Sequence, residues 1–118
     1  MDIKAYLSGF VDGEGCFCVS LNKSKRHTFG WEIRPSFSAS QNDDRVLEML
    51  KQYFGCGTIR PDRSDRTVKY EVRSVKELVK RVLPHFEENP LLSSKQREYE
   101  RFVEVCRAIY RGEHKTRD

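Results

Sequence analysis

Nine residues near the amino terminus, Leu7-Ser8-Gly9-Phe10-Val11-Asp12-Gly13-Glu14-Gly15, restrict the folds open to this chain more than any other stretch. Read as a helix over about residues 3–13, the segment stacks Ala5, Gly9 and Gly13 on one face and sets Ile3, Leu7, Phe10 and Val11 on another. A helical glycine costs about 1 kcal/mol relative to Ala, so a face this bare has to be offset, and close approach of a second backbone is the natural compensation. The helix is expected to stop in the run Asp12 to Gly15, because Gly favours the left-handed conformations that end helices and Asp12 can bond local backbone. Glu14 is then left at the bottom of a tightly packed seam.

With Tyr6 in front of it, this string resembles the signature of the LAGLIDADG homing endonucleases. Ser8 and Gly13 stand where that signature has Ala, and Glu14 stands where it has Asp, which keeps the carboxylate. The resemblance implies that two motif helices pair between subunits or half-domains, here through Ala5, Ser8, Gly9, Asp12 and Gly13. It also implies that Glu14 binds a catalytic divalent metal, with the Gly15 carbonyl as a further ligand. Mg²⁺ is the implied ion; Mn²⁺ or Ca²⁺ could occupy the same positions, Ca²⁺ without supporting cleavage. Two Glu14 carboxylates brought together across a two-fold axis would repel unless cations lay between them, so metal and dimer explain one another.

At 118 residues the chain is expected to be one domain, too small for two independent cores, and so to carry one half-site. A hydrophobic fraction of 37% beside 34% charged residues fits a globular domain with an extensive polar surface. No apolar run approaches a membrane span and no signal peptide is visible. The expectation is a nucleic-acid-containing compartment, either the cytoplasm or nucleoid of a prokaryote or an organelle interior, with no secretion and no membrane partner. Net charge of +4 does not by itself establish nucleic-acid binding. Its distribution says more: Lys23, Lys25, Arg26 and Arg34 face a single acid between Asn22 and Arg34, and five basic residues face three acids between Arg60 and Arg73. The cysteines Cys16, Cys18, Cys56 and Cys106 fit neither a metal nor a disulfide framework by spacing and are read as reduced, mostly structural thiols.

Along the chain, Gly15 to Asn22 alternates with Phe17, Val19 and Leu21 on one side, as a half-buried strand does. After the basic turn of residues 23–30, Trp31, Ile33, Phe37 and Ala39 alternate in a second strand, in which Pro35 demands a local edge or bulge. A helix capped by Ser40 or Asn42 follows and ends at Gly55. A second hairpin turns at residues 61–65, with Val68, Tyr70 and Val72 inward. Residues 74 to about 86 are helical by pattern, and Ser93 or Ser94 caps a last helix that ends at Gly112, leaving residues 113–118 as a mobile tail. The predicted class is α+β, in the order αββαββα. The resemblance implies a four-stranded antiparallel saddle-shaped sheet with its helices on one face and double-stranded DNA along the other.

The resemblance also extends to single residues beyond the motif. Gln41, after Phe37-Ser38-Ala39-Ser40, matches a position that orients solvent; Arg45 matches a basic residue at the edge of the site; and Lys95, within Pro90-Leu91-Leu92-Ser93-Ser94-Lys95-Gln96, matches a lysine that acts near the nucleophilic water. Strand parity and the family's docking mode nominate DNA contacts on the first hairpin at Ser20, Asn22, Lys23, Lys25, Arg26, Arg34, Ser36 and Ser38. On the second hairpin they nominate Arg60, Arg63, Thr67, Lys69, Glu71 and Arg73. The implied activity is a metal-dependent, site-specific homing endonuclease. It would act as a homodimer, cut both strands of a long pseudo-palindromic target and promote intron mobility. The alternatives are an intron-RNA splicing maturase on the same scaffold, which needs a basic surface but not Glu14 with Lys95, and a catalytically silent DNA-binding protein.

Overall fold

The computed structural model describes residues 2–23, 31–62 and 66–117, the side chains of Trp31 and 113–117 excepted. Its elements run α1 (Ile3–Glu14), β1 (Gly15–Lys23), β2 (Trp31–Gln41), α2 (Arg45–Phe54), β3 (Thr58–Pro61) and β4 (Val68–Val72). A continuous helical stretch follows, made of α3 (Val75–Glu77), a π turn (Leu78–Val82) and α4 (Leu83–Glu88), and then α5 (Lys95–Arg117). The strands form one antiparallel sheet in the order β1-β2-β4-β3. This is the α+β arrangement expected, its last α resolved into the two helical segments that the sequence pattern separates.

Local chemistry sets the element boundaries. The Asp2 carboxylate accepts from the amides of Lys4 at 3.0 Å and Ala5 at 3.3 Å, which caps α1. The helix runs through Glu14 rather than stopping short of it, and Gly15 is not left-handed as expected but extended, at φ −87°. Glycine is needed there for space: a Cβ would lie 2.6 Å from Val11 Cγ1 and 2.8 Å from the Val11 carbonyl oxygen. Gly55, at φ +71°, does adopt the left-handed conformation that ends α2. Neither Ser40 nor Asn42 caps α2; instead the Asp43 carboxylate accepts from the Arg45 amide at 2.9 Å. Pro35 pairs with Val19 of β1 at a point where β4, whose pairing with β2 begins at Phe37, has not yet arrived, so the proline occupies a local edge. Gly112 does not end α5: the expected mobile tail is helical backbone as far as Arg117, and Asp118 lies outside the described residues.

The core lies between one face of the sheet and the helices. Phe17 packs within 5.2–5.4 Å of the rings of Phe37, Phe86, Tyr99 and Phe102, which joins β1, β2, α4 and α5. Leu7 and Val11 of α1, Leu47 and Leu50 of α2, and Tyr70 and Val72 of β4 are buried around it. Val19, Leu21 and Ile33, expected to point inward, are 45%, 62% and 49% exposed. They keep the apolar parity of their strands, but the first hairpin outruns the helices that cover its base.

Cys56 and Cys106 are free and buried, and burial pushes the Cys106 thiol up to about 12, as expected of structural thiols. Cys16 and Cys18 correct the expectation of reduced thiols: they are joined as a disulfide. Alternate residues of a strand share a face, and the 5.8 Å between their Cα atoms lies within bridging range.

Candidate functional site

Asp12 is the hinge of the arrangement at the end of α1. Its Oδ2 accepts from the backbone amides of Leu92 at 2.9 Å and Ser93 at 3.1 Å, while the Ser93 hydroxyl donates to its Oδ1. The hydrogen bond from Ser93 Oγ is the main reason the Asp12 carboxyl sits below the usual carboxylate range; the two amides and the nearby Lys95 charge act in the same direction. Ser93 Oγ in turn accepts from the Lys95 amide at 3.1 Å. The expected bond from Asp12 to local backbone is therefore replaced by one to a turn eighty residues away, and that turn starts the helix carrying Lys95.

Lys95 reaches back across this junction. Its Nζ donates to the Gly15 carbonyl at 2.6 Å and to the Val11 carbonyl at 3.2 Å. One residue away, the Glu14 side chain is exposed at the last position of α1. The donors available here are a carboxylate and a carbonyl, the hard oxygens that suit a hard divalent cation, and the carbonyl is already aimed at a positive group. Among the described residues no three His, Cys, Asp or Glu side chains gather as a ready-made metal cluster. One chain thus brings one carboxylate and one carbonyl to this position. Gly15 pairs with Ala39, which puts Gln41 at the same end of the sheet, its Oε1 accepting from the Asn42 amide at 3.1 Å. Arg45 is exposed and held by Asp43, with Nε at 2.9 Å and Nη2 at 2.5 Å from Oδ2. Glu14, Gly15 and Lys95 are brought together, Gln41 lies at their end of the sheet, and Arg45 is tied to its own helix start.

The outer face of α1 is as bare as its sequence implies. Ala5, Gly9 and Gly13 are exposed beside Ile3 and Tyr6, and a Cβ added to Gly9 or Gly13 would meet nothing within 4 Å. Ser8, assigned to the same interface, turns inward instead, while Asp12 is half-buried with its carboxylate on the Leu92–Ser93 turn. The Ser8 hydroxyl donates to the Asn89 carbonyl at 2.8 Å and lies 2.9 Å from His85 Nε2. Since its single proton is committed to Asn89, Nε2 of His85 donates to Ser8, and Nδ1 accepts from the Tyr53 hydroxyl at 2.8 Å. Burial lowers His85 to about 4, so the ring is neutral at neutral pH.

The sheet face opposite the aromatic core is polar. Strand register places Ser20, Asn22, Arg34, Ser36, Ser38, Arg60, Lys69 and Glu71 on it, with Thr67 and Arg73 in the same parity just beyond the two ends of β4. Lys23 falls on the other parity at the end of β1, and Lys25, Arg26 and Arg63 lie outside the described residues. Glu71 departs from the expected direct contact: its side chain is only 8% exposed, with Arg60, Lys69 and Arg73 bonded around it. Ser38, opposite it on β2, is also buried. Ser40 and Thr58, not among the nominated contacts, share this face, as the two-residue alternation of their strands requires.

The sequence pattern of the LAGLIDADG endonucleases matches residues 7–106. This chain belongs to the LAGLIDADG family. It is 35% identical over 116 residues to an uncharacterized 50.9 kDa protein in ND4 intron 1 of Podospora anserina, covering 95% of this chain and 25% of that protein. The crystal structure of the LAGLIDADG homing endonuclease I-LtrWI bound to its target DNA superposes with a TM-score of 0.87 at 30% identity, over 94% of this chain and 38% of that one. The homing endonuclease I-TnaI superposes with a TM-score of 0.86 at 33% identity, over 97% of this chain and 78% of that one. The chain spans about a quarter of the length of the first curated relatives it matches. Among the described residues no helix is long and apolar enough to cross a membrane.

Proposed function

We infer that this chain is the DNA-cleaving unit of a homing endonuclease, making double-strand breaks in a long pseudo-palindromic target and so promoting intron mobility. The observation that carries the reading is the junction where Asp12 fastens the turn of Lys95, whose ammonium sits on the Gly15 carbonyl beside Glu14. Glu14 and the Gly15 carbonyl would hold a divalent ion, Mg²⁺ in the working enzyme. When bound, such an ion acts as a Lewis acid on the phosphate and lowers the pKa of its water. Lys95 supplies a fixed positive charge near the scissile phosphate, and Gln41 orients solvent. Arg45 neutralises charge at the periphery once released from Asp43. The polar sheet face lies along the major groove.

The partner for the bare face of α1 is a second copy of the chain, packed backbone to backbone through Ala5, Gly9 and Gly13. Pairing brings the two Glu14 carboxylates together, which completes the oxygen donors that one chain lacks and matches two active sites to two strands.

Selection of cleavable duplexes from a randomised library with Mg²⁺, beside an EDTA control, tests this directly. Paired cuts at a pseudo-palindrome, absent in EDTA and absent in Glu14→Gln although that variant still retains the same duplex, are the expected result. Full cutting by Glu14→Gln refutes the site, and selective retention of structured intron RNA without any DNA cutting favours the maturase.

A further inference from the structure

Two acids lie on the polar sheet face among the described residues: Glu32, paired with Arg34 at the far end of the first hairpin, and Glu71, which is the buried one. Glu71 lies at the base of the second hairpin, in the β3–β4 pair farthest from the turn, opposite Thr58 on β3 and Ser38 on β2, two short side chains. Arg60 Nη2 donates to its Oε1 at 3.1 Å, Arg73 Nε stands as an ion-pair partner 3.0 Å from the same oxygen, and Lys69 Nζ is 3.7 Å from Oε2. The pattern follows from strand geometry: Lys69 and Arg73 are two residues before and after Glu71 on one face, and Arg60, paired with Lys69, is its diagonal neighbour. The carboxylate is 8% exposed, whereas Arg60 is 52% and Arg73 68% exposed.

A carboxylate that reads DNA does so by accepting from the cytosine amino group, and it must be reachable to do it. Glu71 is covered by three cations, of which Arg60 donates a hydrogen bond to it. Arg60 and Arg73, by contrast, remain accessible, and Arg73 approaches the carboxylate through Nε, so that its two terminal nitrogens form a parallel donor pair on the other side of the guanidinium. That pair has the fork geometry that engages O6 and N7 of guanine in the major groove. A flexible arginine would satisfy any phosphate equally well; one held by a buried acid loses that freedom before it meets DNA.

We propose that Glu71 is a positioning residue for sequence recognition: it contacts no DNA itself but holds Arg60 and Arg73 over the major groove so that they read base edges rather than phosphates. The inference rests on the DNA-cleaving reading above. Neutralising the acid raises the local charge from +2 to +3, so non-specific attraction to phosphate should grow while selectivity falls.

The test is selection from a randomised duplex library by the wild type and by Glu71→Gln, an isosteric change, with affinity for one random-sequence duplex measured against salt. Glu71→Gln should lose about tenfold of its preference at the symmetry-related positions read by Arg60 and Arg73 and keep its preferences elsewhere. It should bind the random duplex as tightly as the wild type or more so, with a steeper salt dependence. Arg73→Lys, which keeps charge but removes the fork, should lose preference at the same positions. Unchanged preferences in Glu71→Gln, or a uniform loss of binding to every duplex, overturn the proposal. A wild type that enriches no sequence removes the nuclease reading and this inference with it, whereas a selective wild type whose preferences do not depend on Glu71 removes the inference alone.

Discussion

Asp12 fastens the junction proposed as the cleavage site without itself being assigned a role in the reaction. Three donors converge on its carboxylate, and one of them, the Ser93 hydroxyl, also receives the amide of Lys95. Asp12→Asn keeps the shape and removes the charge that makes these bonds strong. The expected outcome is a fold unchanged by circular dichroism and a cleavage rate lowered about 10–100-fold, the usual cost of losing an outer support of a metal-binding group. Faster amide exchange at Ser93 would separate this loss of positioning from a defect in DNA binding.

At the level of the element, α1 presents two unlike faces. Its inner face delivers Leu7, Val11 and the Ser8 hydroxyl to its own domain, and its outer face offers Ala5, Gly9 and Gly13. Because a Cβ at Gly9 meets nothing within this chain, Gly9→Ala should stabilise the isolated chain by up to about 1 kcal/mol in denaturant unfolding. The same methyl would separate two closely packed helices, so self-association measured by sedimentation should weaken; association unchanged or tighter would exclude this face as the seam. The existence of α1 and of both hairpins was legible in periodicity alone, since each buries one face and exposes the other. Periodicity could not disclose what depended on distant partners. Asp12 resembles a local cap until Ser93 is placed beside it, Ser8 resembles an interface residue until His85 is, and Glu71 has the parity of a DNA contact until three cations fold over it. Gly15 was legible as a necessary glycine, but its reason, the Val11 side chain beneath it, is a matter of packing rather than of backbone conformation.

For the whole molecule, the buried Ser8–His85–Tyr53 chain links α1, α4 and α2 and sets how stability responds to pH. His85 titrates at about 4 in the fold against 6.5 when free, so between those values the unfolded chain binds the extra proton. Stability should therefore rise with pH through this window and be lost on acidification, by about 2 kcal/mol from pH 7 to pH 5. Asp12, with its lowered pKa, stabilises above the usual carboxylate range and gives way only as pH falls through its own folded value, below the His85 window. Urea unfolding at the two pH values measures the loss, and His85→Gln should flatten it; an equally steep loss in that variant would assign the effect to other groups.

The Asp12 clamp also has a consequence in time. Its two halves are eighty positions apart, and the entropy of closing so long a loop has to be met before the contact can contribute. A chain emerging from the ribosome presents the motif helix early and the turn of Ser93 late, so Lys95 cannot reach the Gly15 carbonyl until both hairpins lie behind it. The junction therefore closes late, after the whole sheet has emerged, and a nascent chain that already carries the motif and both hairpins still lacks the contact between Lys95 and the Gly15 carbonyl.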